Sequence, residues 1–424
     1  MRDSVEPYAK TGADSSAGVQ LTLGFIPLVD CAPLVVAKEK GFAEAEGVSL
    51  SLARETSWAN IRDRVMVGHF EAAHMLGPMP VASTLGLGHV ETPMIVPFSL
   101  TLGGNAITVS SAIFAQMEEA GAHLEALPAD MGRALAKVVS RRAARGAAPL
   151  VFAVVHPFSG HNYELRYWLA SAGVDPDRDV RIVVLPPSFM MDAVLEQQVD
   201  GFCVGEPWNS LAVDRGAGVI AVTKSALWRQ GPEKVLGLRA DFAERKPDVL
   251  AALLRAVYRA AEWAGRAENV EELARMLASP AYVGASAAII ERALSGRLIK
   301  RAAAAPGFVP DFLSVHDHAA NFPWQSHSLW FYSQMVRWRQ IAHSPALAEK
   351  ARQVYRPDLY RAALAGIGVD LPRASAKVEG ALKARTPVAS RKGSILLGPD
   401  GFFDGRLFDP DKIEDYLRSF RVNF

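Results

Sequence analysis

The residues best able to do chemistry in this chain are hydrogen-bond donors placed where apolar runs end. They are Trp58 in SWANIRDRV, Asn105 in LGGNA, His156 and His161 in HPFSGHNYELRYW, Trp208 in VGEPW and Lys234 in GPEKVLGLR. Obvious acceptors are fewer. Such a set suits an anion, because strand ends and helix starts in open α/β sheets already present free N–H groups to negative charge. Each residue also has a plainer role: Trp58 as helix packing, Lys234 as a solvated cation, Glu206-Pro207-Trp208 as a helix start with proline at its first position. His156 and His161 are five apart across Pro157, which rules out a regular helix and a zinc pair. His327 lies in FPWQSHSLWFYSQMVRW and reads as core, while His316 and His318 in VHDH read as surface.

No HExxH, GxSxG, Walker loop, GxGxxG or CxxC pattern occurs, so no catalytic residue, metal site or cofactor is expected and a binding protein is favoured over an enzyme. Cys31 and Cys203 are the only cysteines, both in apolar surroundings, and read as buried small hydrophobes. An enzyme of the kind that reuses such folds for pyrimidine or thiamin-precursor chemistry would need one of them, Cys203, or a histidine in the cleft. The formal net charge is +1, so no global field draws the chain to nucleic acid or anionic lipid, and anion selectivity must be local.

The elements that would position these donors alternate. Leu21 to Leu28 reads as a strand, Pro33 to Lys40 before Gly41 as a helix with proline at its start, and Val48 to Leu52 as a second strand. Asn60–Val67, Met94–Phe98, Leu150–Val155, Tyr163–Ala172 and Val180–Leu185 continue the pattern, which predicts an α/β chain with mostly parallel sheet. After Val235 the pattern turns helical, over Asp248–Ala267 and Ala285–Leu298, and Arg373–Lys392 reads as a tail over the surface. At 424 residues two lobes are expected. Thr92–Met117 is uncharged, but Pro93, Pro97 and Gly103-Gly104 break it into strand-sized pieces, so it reads as buried sheet with no membrane insertion. Met1–Gln20 is polar and shows no export signal, which points to a cytoplasmic protein.

LTLGFIPLVDCAPLVVAKEKGF, ETSWANIRDRVMVGHFEAAHMLGPMP, HNYELRYWLASAGVDPDRDV, DGFCVGEPW, PEKVLGLRADF, SHSLWFYSQMVRW and FFDGRLFDPDKIEDYLRSF occur in that order. Together they resemble the nitrate, nitrite and bicarbonate solute-binding proteins of ABC transporters, over about Leu21 to Phe420. The resemblance implies a type II periplasmic-binding-protein fold, two lobes with a ligand cleft and a helical C-terminal extension. It divides the chain into a flexible segment 1–19, lobe 1 over 20–103, lobe 2 over 104–217 and a return to lobe 1 over 218–424, with crossovers near Thr101–Asn105 and Val213–Val222. Without an export signal the chain resembles the cytoplasmic NasS-type nitrate sensor branch. That branch implies nitrate or nitrite as ligand and an ANTAR-domain antiterminator as protein partner, with no direct nucleic-acid contact, in control of nitrate assimilation. The alternative is an exported solute-binding component of a nitrate/nitrite (or bicarbonate) ABC transporter.

Carried onto this chain, the resemblance implies Trp58, Asn105, His161, Trp208 and Lys234 as ligand-binding residues. A lysine at 234 favours nitrate, which has no proton to donate, over bicarbonate, which does. Gly103 stands where nitrate transporters of the family tend to carry glutamine, so one side-chain donor is missing.

Overall fold

The computed structural model describes residues 18–88 and 90–420; of the expected segment 1–19, all but the last two residues lie outside them. Apolar runs form two sheets. The first contains β1 (Val19–Phe25), β2 (Val48–Arg54), β3 (Ala72–Leu76) and β4 (Met94–Gly103). The second contains β5 (Asn105–Ser110), β6 (Leu150–Val154), β7 (Val180–Val184), β8 (Gly201–Gly205) and β9 (Gly218–Thr223). The chain then returns to the first sheet as β10 (Pro232–Arg239).

The first sheet runs Leu313–Ser314, β4, β10, β3, β1, β2, and the second runs β7, β6, β8, β5, β9. β1 is parallel to β2 and β3, and β6 is parallel to β7 and β8, with helices making the crossovers. β10 and β5 are inserted antiparallel. Each therefore starts at the edge where its antiparallel neighbours finish. Residues at the start of β5 and β10 and those after β1, β2, β6 and β9 consequently share one region between the lobes.

The first crossover is Gly103-Gly104, where φ is +73° and +85°. The second is later than the sequence places it. The sequence resemblance puts the return at Val213–Val222 and the end of lobe 2 at residue 217, but the apolar run Gly218–Thr223 pairs with β5 at the sheet edge. The return therefore runs through residues 224–231.

The helix Ala32–Glu39, with Pro33 in its first turn, and the helix Pro247–Ala264 cover one face of the lobe 1 sheet around Leu21, Leu34, Leu50 and Leu253. Lobe 2 has its own core of Ile107, Phe114, Leu135, Phe152, Trp168 and Cys203. The C-terminal helix Gln325–Arg337 and later segments build a further core with Met75, Val96, Trp330 and Phe402. Arg373–Lys392 does more than wrap: it enters a hairpin of Thr386–Ala389 with Ser394–Leu397, and Glu379 and Phe408 form a backbone bridge. Cys31 and Cys203 are buried free thiols. Among the described residues no helix is long and apolar enough to cross a membrane.

Candidate functional site

Local rules place the first donors. Ser57 Oγ accepts from Asn60 N at 3.2 Å, which starts the helix Trp58–Met66 directly after β2. Trp58, its first residue, is 1 % exposed, and its indole Nε1 has no hydrogen-bond partner among the described residues. In the same way Ser159 Oγ accepts from Asn162 N at 3.0 Å and starts the helix Gly160–Ser171 after β6. His161, its second residue, is fully buried, with neither ring nitrogen hydrogen-bonded.

Lys234 reaches the same place through a fault in the strand. Pro232 pairs with Leu102 and Lys234 with Thr101, so Glu233 is the extra residue of a bulge. Neighbours on a regular strand face opposite ways. The bulge instead lets both side chains enter the space between the lobes, where Lys234 Nζ lies 2.9 Å from Glu233 Oε1.

A chain of buried charges results. Lys234 Nζ is also 2.9 Å from Asp30 Oδ2, and Asp30 Oδ1 is 2.9 Å from His74 Nε2. Trp58 stands beside both, 5.2 Å from the His74 ring by centroids and 5.6 Å from Lys234 Nζ. Glu233 Oε2 is 2.6 Å from Lys224 Nζ, which is 2.5 Å from Glu164 Oε1; Asn105 Nδ2 donates to Glu164 Oε2 at 2.9 Å. His161 Nε2 is 3.5 Å from Glu233 Oε1.

Burial and neighbours divide the protonation states. Burial pushes His161 down to about 3, helped by Lys234 and Lys224 and opposed by Glu233. Burial also lowers His74 despite Asp30. His74 is therefore neutral, with Nε2 facing Asp30, and its Nδ1 accepts weakly from Ile26 N at 3.4 Å. Burial works against the lysines, but Asp30 and Glu233 hold Lys234 above its ordinary value, as Glu164 and Glu233 hold Lys224. Against burial, Lys224 and Lys234 hold Glu233 well below the usual carboxylate range. Against burial, Lys234 and His74 likewise hold Asp30 low, whereas burial raises Glu164 with Lys224 opposing, so Asp30 and Glu233 are the carboxylates held ionised against the two lysines.

Trp58, Asn105, His161 and Lys234 are thus brought together from both lobes. Trp208 is not in the charge chain. It opens the helix Trp208–Asp214, packs on the apolar cluster that contains Trp58, and its buried Nε1 is unpartnered. Pro207 sits at the cap rather than at the first helical position, and Glu206 Oε2 accepts from Ser210 N at 3.2 Å. The plainer reading of Lys234 as a solvated cation is corrected: it is fully buried between carboxylates. So is the excess of donors over acceptors, since Asp30, Glu164 and Glu233 escaped notice, as did His74 and Lys224. Lys224 carried the same signal as the others, a donor directly after an apolar strand.

Of the remaining histidines, His156 Nδ1 accepts from Phe158 N at 3.1 Å inside the turn before Gly160. His327 is buried and faces Glu379. His316 and His318 are half-buried rather than on the surface, His316 meeting Asn321 at 2.9 Å and the Tyr258 ring. Gly103 has a local cause: a Cβ there would lie 2.3 Å from Phe312 O, and its φ is left-handed. With Phe312 so placed, position 103 has no room for a glutamine side chain.

Residues 14–278 match the NMT1-like family, well over half of the chain. The chain belongs to that family. It is 33 % identical over 428 residues to the nitrate/nitrite binding protein NrtA of Nostoc sp. PCC 7120, covering 99 % of this chain and 90 % of that one. It is also 33 % identical over 405 residues to the bicarbonate transport ATP-binding protein CmpC of Synechocystis sp. PCC 6803, covering 95 % of this chain but 55 % of that longer protein. The crystal structure of the periplasmic nitrate-binding protein NrtA from Synechocystis PCC 6803 superposes with a TM-score of 0.82 at 28 % identity, covering 96 % of this chain and 99 % of that one. The two-lobed α/β architecture is therefore the periplasmic-binding-protein fold. These relatives are transport proteins and solute-binding proteins.

Proposed function

We propose that this chain is a nitrate- or nitrite-binding solute-binding protein of the ABC-transporter type, and not an enzyme. The observation that carries the reading is a set of buried donors contributed by both lobes: Trp58 Nε1 and Lys234 from lobe 1, His161 from lobe 2. A ligand shifts an open and closed equilibrium only through contacts that differ between the two forms, which donors on opposite lobes supply. Each charge-assisted hydrogen bond contributes roughly 1.5–3 kcal/mol, so two or three suffice for a tight complex. Relatives named for nitrate and nitrite binding support the solute-binding reading over the regulatory one, and nitrate or nitrite as the ligand. Calorimetry with nitrate, nitrite and bicarbonate tests it; no heat from either nitrogen oxyanion at millimolar concentration sinks it.

The regulatory version is a finer proposal built on the same cleft: a cytoplasmic sensor whose closure controls an ANTAR-type antiterminator. Co-purification from the native host separates the two. A small RNA-binding partner released by nitrite supports the sensor, whereas capture of a permease supports the transport component.

A further inference from the structure

Glu233 is a buried charged group to which the oxyanion reading gives no task. It springs from β10 of lobe 1, yet several of its nearest polar neighbours belong elsewhere. Oε1 lies 3.5 Å from His161 Nε2 of lobe 2. Oε2 lies 2.6 Å from Lys224 Nζ, directly after β9. A Cβ on Gly160 would fall 2.7 Å from Oε2, so the carboxylate rests against the first turn of the helix Gly160–Ser171, where glycine permits the approach. Lys234 Nζ completes the surround at 2.9 Å. Glu233 is 1 % exposed, so its carboxylate is turned away from bulk solvent.

A carboxylate is a planar O–C–O group with one negative charge. Nitrite is a planar O–N–O group with the same charge, and nitrate adds one oxygen in the same plane. Two ammonium groups, an imidazole and the start of a helix are the partners such an ion requires. Here a side chain of the protein already holds them.

We propose that Glu233 is a tethered internal anion that competes with nitrate or nitrite for Lys224, Lys234 and His161, and so sets the affinity of the cleft. The inference rests on the oxyanion-binding reading above. Charge balance gives its direction. Without Glu233, Lys224 keeps Glu164 at 2.5 Å and Lys234 keeps Asp30 at 2.9 Å, so each cation retains one carboxyl neighbour and loses the other. An arriving monoanion then restores the charge that Glu233 carried. With Glu233 in place the newcomer must first move it aside, because like charges cannot share the same donors in a buried site.

The test is calorimetry of nitrate, nitrite and formate against the full chain, Glu233→Gln and Glu233→Ala, with folding checked by circular dichroism. Both variants are expected to bind nitrate about tenfold more tightly than the parent. Glu233→Ala is also expected to gain about tenfold for formate, a free carboxylate filling the place of the lost one. Folded variants with unchanged or weaker affinity overturn the proposal. Should neither fold, Glu233→Asp retains the charge but shortens the arm by one methylene; a smaller tightening supports the proposal and none overturns it. A parent that binds neither nitrogen oxyanion, beside a Glu233→Ala variant that gains formate, would overturn the nitrate reading and leave the role of Glu233 standing. A parent that binds nitrate, beside folded variants with no gain, would overturn the role of Glu233 alone.

Discussion

Two buried clusters in this molecule are built from the same residue types, and they do different work. Between the lobes, Lys234 and Lys224 face Asp30, Glu233 and Glu164 with His74 and His161 at hand. Beneath the C-terminal tail, Lys377 pairs with Glu379 and with Asp400 at 2.5 Å, and His327 faces Glu379 at 3.5 Å. Lys377, Glu379 and Asp400 of the tail cluster come from one stretch of chain, His327 from the helix Gln325–Arg337, and the carboxylates take further donors: Ser326 Oγ to Glu379 at 2.6 Å and Leu382 N to Asp400 at 2.8 Å. The cleft cluster is assembled from separate stretches on both sides of two crossovers. Composition does not separate a fastener from a binding site. Whether the members move relative to one another does.

The sharpest way to break this comparison is to remove one lysine from each cluster. Lys377→Ala is expected to cost about 3–5 kcal/mol of stability, since it strands two buried carboxylates, while nitrate binding by the folded fraction stays within about twofold. Lys234→Ala is expected to weaken nitrate binding by about a hundredfold, one strong charge-assisted contact's worth. Denaturant titration and calorimetry on both proteins check this; equal loss of binding in the two would dissolve the distinction.

Acid sharpens it further. His161 has its folded pKa depressed to about 3 against an unfolded 6.5, so the unfolded chain binds the extra proton first. Its contribution is intact above pH 6.5 and is lost as pH falls below that, by about 2 kcal/mol at pH 5. His327, lowered chiefly by burial with Glu379 opposing, acts in the same direction. Glutamine at either position is expected to flatten the acid limb of a stability curve, but only His161→Gln weakens nitrate binding. A flat acid limb in the parent would show that neither ring is held neutral.

Trp58→Phe removes an unpartnered N–H and leaves a smaller ring in a buried place, so nitrate affinity is expected to fall about tenfold, ~1.4 kcal/mol, beside a loss of about 1–3 kcal/mol of stability from the cavity. Ser326→Ala is the counterpart in the tail. It costs about 1–2 kcal/mol of stability and leaves binding alone; a change in nitrate affinity there would tie the tail to the cleft.

The alternation of the fold was legible because its strands are short apolar runs bounded by Gly, Pro and charge, and Val19–Phe25, Val48–Arg54 and Leu150–Val154 fall where that pattern puts them. The donors were legible for a related reason, since each follows or opens such a run. The carboxylates were not. Asp30 and Glu164 carry no pattern of their own and become part of the site only when distant elements meet. That Glu233 and Lys234 point the same way contradicts strand alternation and follows from a bulge, which depends on how β10 registers against β4. The late second crossover was missed because an apolar run does not state which sheet it joins.

β4 has a consequence for synthesis. Its ten residues are all buried, and its sheet partners are β10 and Leu313–Ser314, both made long after it. All five strands of the lobe 2 sheet lie in between, so that lobe's sheet has every strand it needs while β4 still waits. A ribosome therefore releases an uncharged ten-residue strand with no mate until Pro232–Arg239 emerges. During that interval the nascent chain has its greatest need of a chaperone or of slow, undisturbed translation.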